Sequence, residues 1–339
     1  MHDMTSVHVT DAPAISGLRF RRLRDTGDYT ALAAIRDGSS DWDRVDPRSA
    51  REEIPTADEM AATFPLAEMR EHPDLLVATI GEQIIGYSHV LWRWTEITGE
   101  RVYLHLGYVL PAWRGQGIGS AMLHWSQRRI REIAAEDNHE GPVRFATNVS
   151  STEREADALM QHEEYVAVRR LSDMVLEPTA FAVPSALPPG IERCLLMPEH
   201  FSSVYAAWKD AFADVWTSTP PSQEDYEEFV GDNFAGSDFD PTLCHVAWSQ
   251  DQVIGFVLSR ISKGVGVIVE VAVRPGWQRR GIARSLTQRA LNSLNERGVP
   301  QVRLFTHADN GHGARSLYEQ LGFRECKQHF FYRKPLCAT

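Results

Sequence analysis

"RPGWQRRGIARSLT", residues 274–287, sets Arg279 and Arg280 beside a Gly-x-Ala where an apolar, strand-like run gives way to a helix-like one. Residues 110–123, "LPAWRGQGIGSAML", repeat the pattern with Pro, Trp, Gly and a small residue in register. Other landmarks recur in the same order. "GLRFRRL" at 17 answers to "GIERCLL" at 190, "QIIGYSHV" at 83 to "QVIGFVLS" at 252, and "LMQHEEY" at 159 to "LYEQLGF" at 317. The offset between copies drifts from 173 through 169 and 164 to 158. That drift is expected of two diverged domains with different loop lengths, and the period is too long for a solenoid. Between the copies, "EPTAFAVPSALPPG" at 177–190 carries Pro178, Pro184, Pro188 and Pro189, which remove backbone donors and disfavour helix. The reading is therefore domains at 1–178 and 190–339 joined by a linker at 179–189.

Each half reads as mixed α/β. "LLVATIGEQIIGYSHVLW" (75–92) and "CHVAWSQDQVIGFVLSRI" (244–261) are apolar, β-branched runs broken by a short polar turn, which is the hairpin signal. "VGVIVEVAV" (265–273) reads as a buried strand. After it, Ile282, Leu286, Ala290 and Leu294 recur every four residues until Gly298 and Pro300, the pattern of a helix and its stop. Ile118, Met122, Ile130 and Ile133 do the same before Gly141 and Pro142. Both glycine stretches thus sit between a strand and a helix. The first N–H groups of a helix lack intrahelical acceptors and carry the positive end of its dipole, so such a turn is suited to phosphate. Arg114 in one copy and Arg279 and Arg280 in the other add charge. A P-loop would require G-x-x-x-x-G-K-[ST] and a dinucleotide turn G-x-G-x-x-G, and neither pattern is present.

Composition narrows the partners. The chain has 339 residues, 43% of them hydrophobic, and a formal net charge of -11. That balance argues against a general nucleic-acid binder, and no polybasic run suggests a membrane surface. Cys194, Cys244, Cys326 and Cys337 lie far apart without a C-x-x-C pair, so they read as free thiols of a reducing cytosol. No apolar run approaches the roughly 20 residues of a membrane span. The expectation is a soluble cytoplasmic protein, monomer or homodimer, and histidines such as His307 and His312 lack metal spacing.

The residues resemble a family. Q/R-x-x-G-x-G/A, present as "RGQGIG" (114–119) and "QRRGIA" (278–283), is similar to the acetyl-CoA pyrophosphate motif of the GNAT N-acetyltransferase superfamily. "VEVAVRPGWQRRGIA" resembles its fourth strand and phosphate loop, "ADNGHGARSLYEQLGF" its Asn-to-Tyr segment and closing helix, and "FFYRKPL" its last strand. The second copy matches better, and the resemblance covers nearly the whole chain in tandem. It implies two domains, each a mixed, mostly antiparallel sheet flanked by helices, and direct acetyl transfer from acetyl-CoA to an amine of a small molecule or peptide.

Residue by residue, the resemblance implies cofactor contacts from Gln278, Arg279, Arg280, Gly281, Ile282, Ala283 and Arg284, from backbone near Val271 and Val273, and from Asn310. In the first copy it implies them from Arg114, Gly115, Gln116, Gly117, Ile118 and Gly119. Glu270 interrupts an apolar strand, where a carboxylate is costly unless paired or functional, and it matches a glutamate placed near the acceptor amine. Tyr318 matches the general acid, although Ala314, Leu317, Tyr318 and Leu321 also form a core-like stripe. The first copy has Leu106 at the place of Glu270, Met160 at that of Tyr318, and Glu164 and Tyr165 at those of Gly322 and Phe323. Neither leucine nor methionine moves a proton, so catalysis is expected in the second half, with the first holding cofactor or acting as a scaffold.

Residues 210–240 hold nine Asp or Glu and no Lys or Arg, with Trp216, Tyr226, Phe229 and Phe234 interleaved. Such a segment suits a cationic amine and is equally a solvated acidic loop. Trp92 and Trp94 share a strand face and read as core. The alternative to an enzyme is an acyl-CoA-binding or sensing module.

Overall fold

The computed structural model describes residues 5–95, 99–137, 139–177, 183–213, 223–308 and 313–336, except the side chains of 92 and 93. The described residues divide into two compact units, one of Met1–Arg170 with His329–Thr339 and the other of Leu171–Gln328.

In chain order the first unit contains β1 (Leu18–Arg21), α1 (Asp28–Asp37), α2 (Ser40–Asp43), α3 (Ala57–Thr63), α4 (Leu66–Glu71), β2 (Leu75–Ile80), β3 (Gln83–Thr95) and β4 (Arg101–Val109). It continues with α5 (Ile118–Asp137), β5 (Val143–Ser150), α6 (Arg154–His162) and the start of β6 (Val166–Leu176). β1 to β4 pair in sequence, each antiparallel to the next, and β4 pairs in parallel with β5. The expected hairpin at 75–92 is the β2–β3 pair. Ile118, Met122 and Ile130 of α5 are buried, as their spacing predicts, and Trp94 is partly buried against Val102, Leu104 and Ala146.

The second unit repeats this plan with β7 (Glu192–Leu195), α7 (Phe201–Ala211), α8 (Gln223–Phe234), β8 (His245–Ser249), β9 (Gln252–Ser262) and β10 (Val265–Val273). α9 (Ile282–Glu296), β11 (Val302–His307), α10 (Ala314–Gln320) and the start of β12 (Arg324–Pro335) complete it. β7 to β10 are successively antiparallel, and β10 pairs in parallel with β11. Ile282, Leu286, Ala290 and Leu294 are all buried in the core on one face of this sheet. Leu196, Val204, Phe229 and Phe256 belong to the cluster on the other.

The units do not follow the domain boundaries expected from the prolines. β5 pairs antiparallel with His329–Pro335 of β12, and β11 pairs antiparallel with Leu171–Leu176 of β6. The outer neighbour of each parallel pair is thus a strand segment supplied by the opposite half of the sequence. Tyr332 is buried in the first unit's core and its hydroxyl donates to Asp157 at 2.5 Å. In the second unit Asp173 is buried and ion-paired to Arg303 at 3.0 Å. A backbone edge depends on such ladders, and a buried ion pair that loses one partner strands a charge. Fragments 1–178 and 190–339 expressed separately should therefore lack cooperative thermal unfolding, read by circular dichroism, whereas the intact chain shows it. Cooperative unfolding of both fragments would refute the exchange.

Candidate active site

Two matched loops lead from strand to helix. In the second unit Arg279 and Gly281 adopt left-handed φ of 61° and 81°, and in the first Gly115 and Gly117 adopt 69° and 85°. The positions coincide at the offset of 164 read from the sequence. Each loop therefore makes the same turn, and only the first has glycine at both left-handed positions. The first intrahelical bonds run from Ser285 N–H to Gly281 C=O and from Ala121 N–H to Gly117 C=O, both at 3.0 Å. The N–H groups of Ile282, Ala283 and Arg284, and of Ile118, Gly119 and Ser120, are left without intrahelical acceptors.

The surroundings of the loops differ. At Gly281 a Cβ would meet nothing within 4 Å, and Gln278, Arg279, Arg280 and Gly281 are exposed. Gln278 Nε2 donates to Val273 C=O at 3.0 Å, Arg280 stacks over Trp277 at 4.9 Å, and Arg284 bonds Gln320. Ile282 is buried and anchors the helix start, and Ala283 is half-buried. The expectation that Arg114 adds charge to the first loop does not hold. Arg114 Nη1 and Nη2 donate to both oxygens of Asp43 at 2.6 and 2.7 Å, and its Nε donates to Val109 C=O at 2.8 Å. Asp43 is only 2% exposed, so this pair is part of the fold. The Cβ position at Gly117 lies 3.5 Å from Pro13, Gln116 donates to Ala112 C=O, and Gly119 faces Leu159.

Beyond Ile268↔Leu304 the parallel ladder between β10 and β11 stops, although β11 continues to His307. Arg274 N–H bonds Ile254 C=O on the β9 side. Backbone groups alternate along a strand, so Ala272 also points to β9 while Val271 and Val273 present their N–H groups to the open side. An extra residue at Val269 bulges β10 against β9. Bulges re-aim side chains, and here Val269 packs in the α7-side cluster while its neighbour Glu270 bonds the side chain of Trp208 on α7. Desolvation pushes the Glu270 carboxyl up to about 7, the Trp208 hydrogen bond opposing it. Tyr318 lies close enough to feel the Glu270 charge. Burial, with that charge, raises its phenol well above the ordinary value, so it stays protonated. Its ring also packs in the core at 6.0 Å from Phe323, so the stripe and the polar group are the same residue.

In the first unit Leu106 stands where Glu270 does, and Met160 is buried among apolar residues. A cavity of about 80 Å³ lies between β4 and β5, bordered by Leu106, Gly107, Asn148 and Met160. Asn310, Trp216 and His312 lie outside the described residues. Trp208 was not singled out in the sequence; only its place four residues after Val204 in an apolar helical run marks it, which is a core signal. Among the described residues no cluster of His, Cys, Asp and Glu could hold a metal ion, and no helix is long and apolar enough to cross a membrane.

The fold that carries these residues has known counterparts. Residues 202–323 match the Acetyltransferase (GNAT) family and residues 71–166 the Acetyltransferase (GNAT) domain. The chain belongs to the GNAT acetyltransferases, carries two GNAT domains in tandem, and is an acetyl-CoA-dependent acyltransferase. It is 27% identical over 276 residues to a mycothiol acetyltransferase of Streptomyces scabiei, covering 78% of this chain and 80% of that one. A GCN5-related N-acetyltransferase of Sphaerobacter thermophilus has the same fold, with a TM-score of 0.73, 22% identity, and 96% and 97% of the two chains covered. A tandem GNAT protein from the clavulanic acid biosynthesis pathway superposes with a TM-score of 0.60 at 15% identity, over 95% and 99% of the chains.

The two loops can be separated by mutation. Arg114→Ala leaves the Asp43 carboxylate buried without its counter-ion and should cost about 3–5 kcal/mol in urea unfolding, with acetyl-CoA affinity of the folded protein unchanged. Gly281→Val puts a β-branched residue at a left-handed φ and in the open space before α9, and should weaken acetyl-CoA binding at least about tenfold by calorimetry.

Proposed function

We propose that the second unit catalyses transfer of an acetyl group from acetyl-CoA to the primary amine of a small molecule or peptide, and that the first unit does not turn over. The observation that carries this reading is Glu270, a carboxyl held near neutrality beside a protonated phenol where a strand edge is free. The loop residues Gln278 to Arg284 fit the pyrophosphate, with exposed arginines, unsatisfied helix N–H groups and empty space at Gly281. Acetyl-CoA, when bound, supplies an acyl carbon activated as a thioester. The free N–H groups of Val271 and Val273 hold the pantetheine arm and the acyl oxygen.

Glu270 accepts a proton from the acceptor amine, which is uphill by about three units against an ammonium near 10.4 and feasible within a hydrogen bond or through one water. The amine nitrogen then bonds the acyl carbon, the C–S bond breaks as Tyr318 protonates the departing sulfur, and the second proton of the nitrogen passes, directly or through one water, back to the Tyr318 phenolate, leaving the amide and the free thiol. Acid and base differ here because burial raises both groups from different starting points, Glu270 to near neutrality, while the Tyr318 phenol holds its proton until the departing thiolate takes it.

An acidic, aromatic wall supports a cationic acceptor. Tyr205, Trp208, Tyr226 and Phe229 pack ring against ring on α7 and α8, with centroids 5.3–6.2 Å apart. The Tyr205 hydroxyl is buried without a hydrogen-bond partner. Asp210, Asp238 and Asp240 are paired to Arg274, Arg260 and Arg297, so the remaining acidity of this segment among the described residues is concentrated on α8. Thiol release against a panel of amines, including the acceptor of the mycothiol acetyltransferases, should identify a substrate. Absence of turnover with every amine, alongside intact acetyl-CoA binding, would favour a sensing module.

With an acceptor in hand, kcat/KM should fall about tenfold per pH unit below pH 7, because only the carboxylate form of Glu270 accepts a proton. Glu270→Gln should remove that limb of the profile together with most of the activity. Tyr318→Phe keeps the ring and loses the hydroxyl, and kcat should drop roughly 100-fold with acetyl-CoA affinity unchanged. Met160→Leu, the matched change in the first unit, should retain wild-type turnover. An unaltered kcat in Tyr318→Phe would remove it as the acid.

A further inference from the structure

A second cavity, of about 390 Å³, opens in the second unit between β7, β8 and the C-terminal half of α9. Arg193, His245, Arg289, Ser293 and Arg297 line it, with Glu296 the one carboxylate among the lining residues; Arg193, Glu296 and Arg297 are exposed at its rim, whereas His245 is buried and Arg289 half-buried. Arg297 is neutralised by Asp240 at 2.6 Å and also donates to Thr242 at 2.7 Å. Arg193 and Arg289 have no ion pair among the described residues. The Arg289 Nε is buried without an acceptor. Arg193 Nη1 lies 3.4 Å from His245 Nδ1, and His245 Nε2 lies 3.2 Å from the Ser293 hydroxyl. His245 is buried, and burial together with the two arginine charges lowers its pKa to about 4.

The duplicated fold supplies its own control. Strand registers and helix starts match Arg193 with Phe20, His245 with Leu76, and Arg289 with Trp125. In the first unit Phe20 and Leu76 are buried in one apolar cluster against which Trp125 packs. The same three places that close a hydrophobic core in one unit carry two guanidinium groups and an imidazole around a cavity in the other. Packing alone requires no cation there, and like charges converging without a counter-ion oppose folding.

We propose that this cavity binds the anionic group, phosphate or carboxylate, of a small molecule, with Arg193 and Arg289 as its charge partners and Ser293 as a further donor. The site is distinct from the acetyl-CoA loop, since Arg289 lies eight residues, or about 12 Å of helix, beyond Gly281. An anion seated between the arginines offsets their charges and favours protonation of His245.

The test uses the intact protein saturated with CoA, so that the phosphate loop is occupied, titrated calorimetrically with inorganic phosphate and separately with citrate. One saturable site per chain is expected, weakened about tenfold or more by Arg193→Gln and by Arg289→Gln. The His245 ring signal in NMR should titrate at higher pH with the anion present, and the KM for acetyl-CoA should be unchanged in both variants. Saturation by phosphate alone assigns a phosphate ester, and by citrate alone a carboxylate; either supports the site. No saturable binding of either, or binding that survives both substitutions in folded protein, overturns it.

Discussion

The parting of β10 from β11 after Ile268 is the constraint on which the proposed chemistry rests. A parallel pair normally satisfies both strands, so stopping the ladder while both strands run on exposes backbone donors in the interior of a folded unit. Val271 and Val273 contribute nothing by their side chains that another apolar residue would not. They contribute N–H groups that have lost a neighbour. The bulge at Val269 adds the second half of the arrangement, because it turns Glu270 toward Trp208 and away from water. Removal from water then does what no charged neighbour does here, moving a carboxyl toward neutrality.

The two units share this parting and differ in what fills it. β4 and β5 also cease to pair beyond Leu104↔Ala146, yet the gap holds a small cavity edged by Leu106 and Met160. The first loop keeps the backbone turn of the second, while Arg114 is drawn into a buried pair with Asp43. The two loops thus share a backbone turn and differ in what their side chains are committed to. Equal geometry with unequal chemistry places function in the side chains and their solvation.

Much of this was legible in the sequence, and the limits have physical causes. The duplication, both hairpins, the helices after each glycine loop and the prominence of Glu270 follow from spacing and composition, which are local. The strand exchange does not, since nothing in "FFYRKPL" says which edge it will join; any edge with compatible register would satisfy its hydrogen bonds. Arg114 looked available because its partner lies 71 residues away. The raised pKa of Glu270 comes from burial by elements distant in sequence, and the Trp208 that bonds it and opposes the rise reads as ordinary core. The cationic cavity had a signal after all, in the replacement of Phe20, Leu76 and Trp125 by Arg193, His245 and Arg289, which becomes visible only when the copies are laid side by side.

The exchanged strands also set an order on synthesis. The ribosome releases residues 1–170 long before it makes the strand that completes their sheet, and the whole of the second unit emerges in between. Until then β5 presents a bare edge, the kind of surface that invites wrong partners and that chaperones cover. A chain built this way has high contact order and gains its first finished unit last. Its first unit keeps an open edge while roughly the second half of the chain is made.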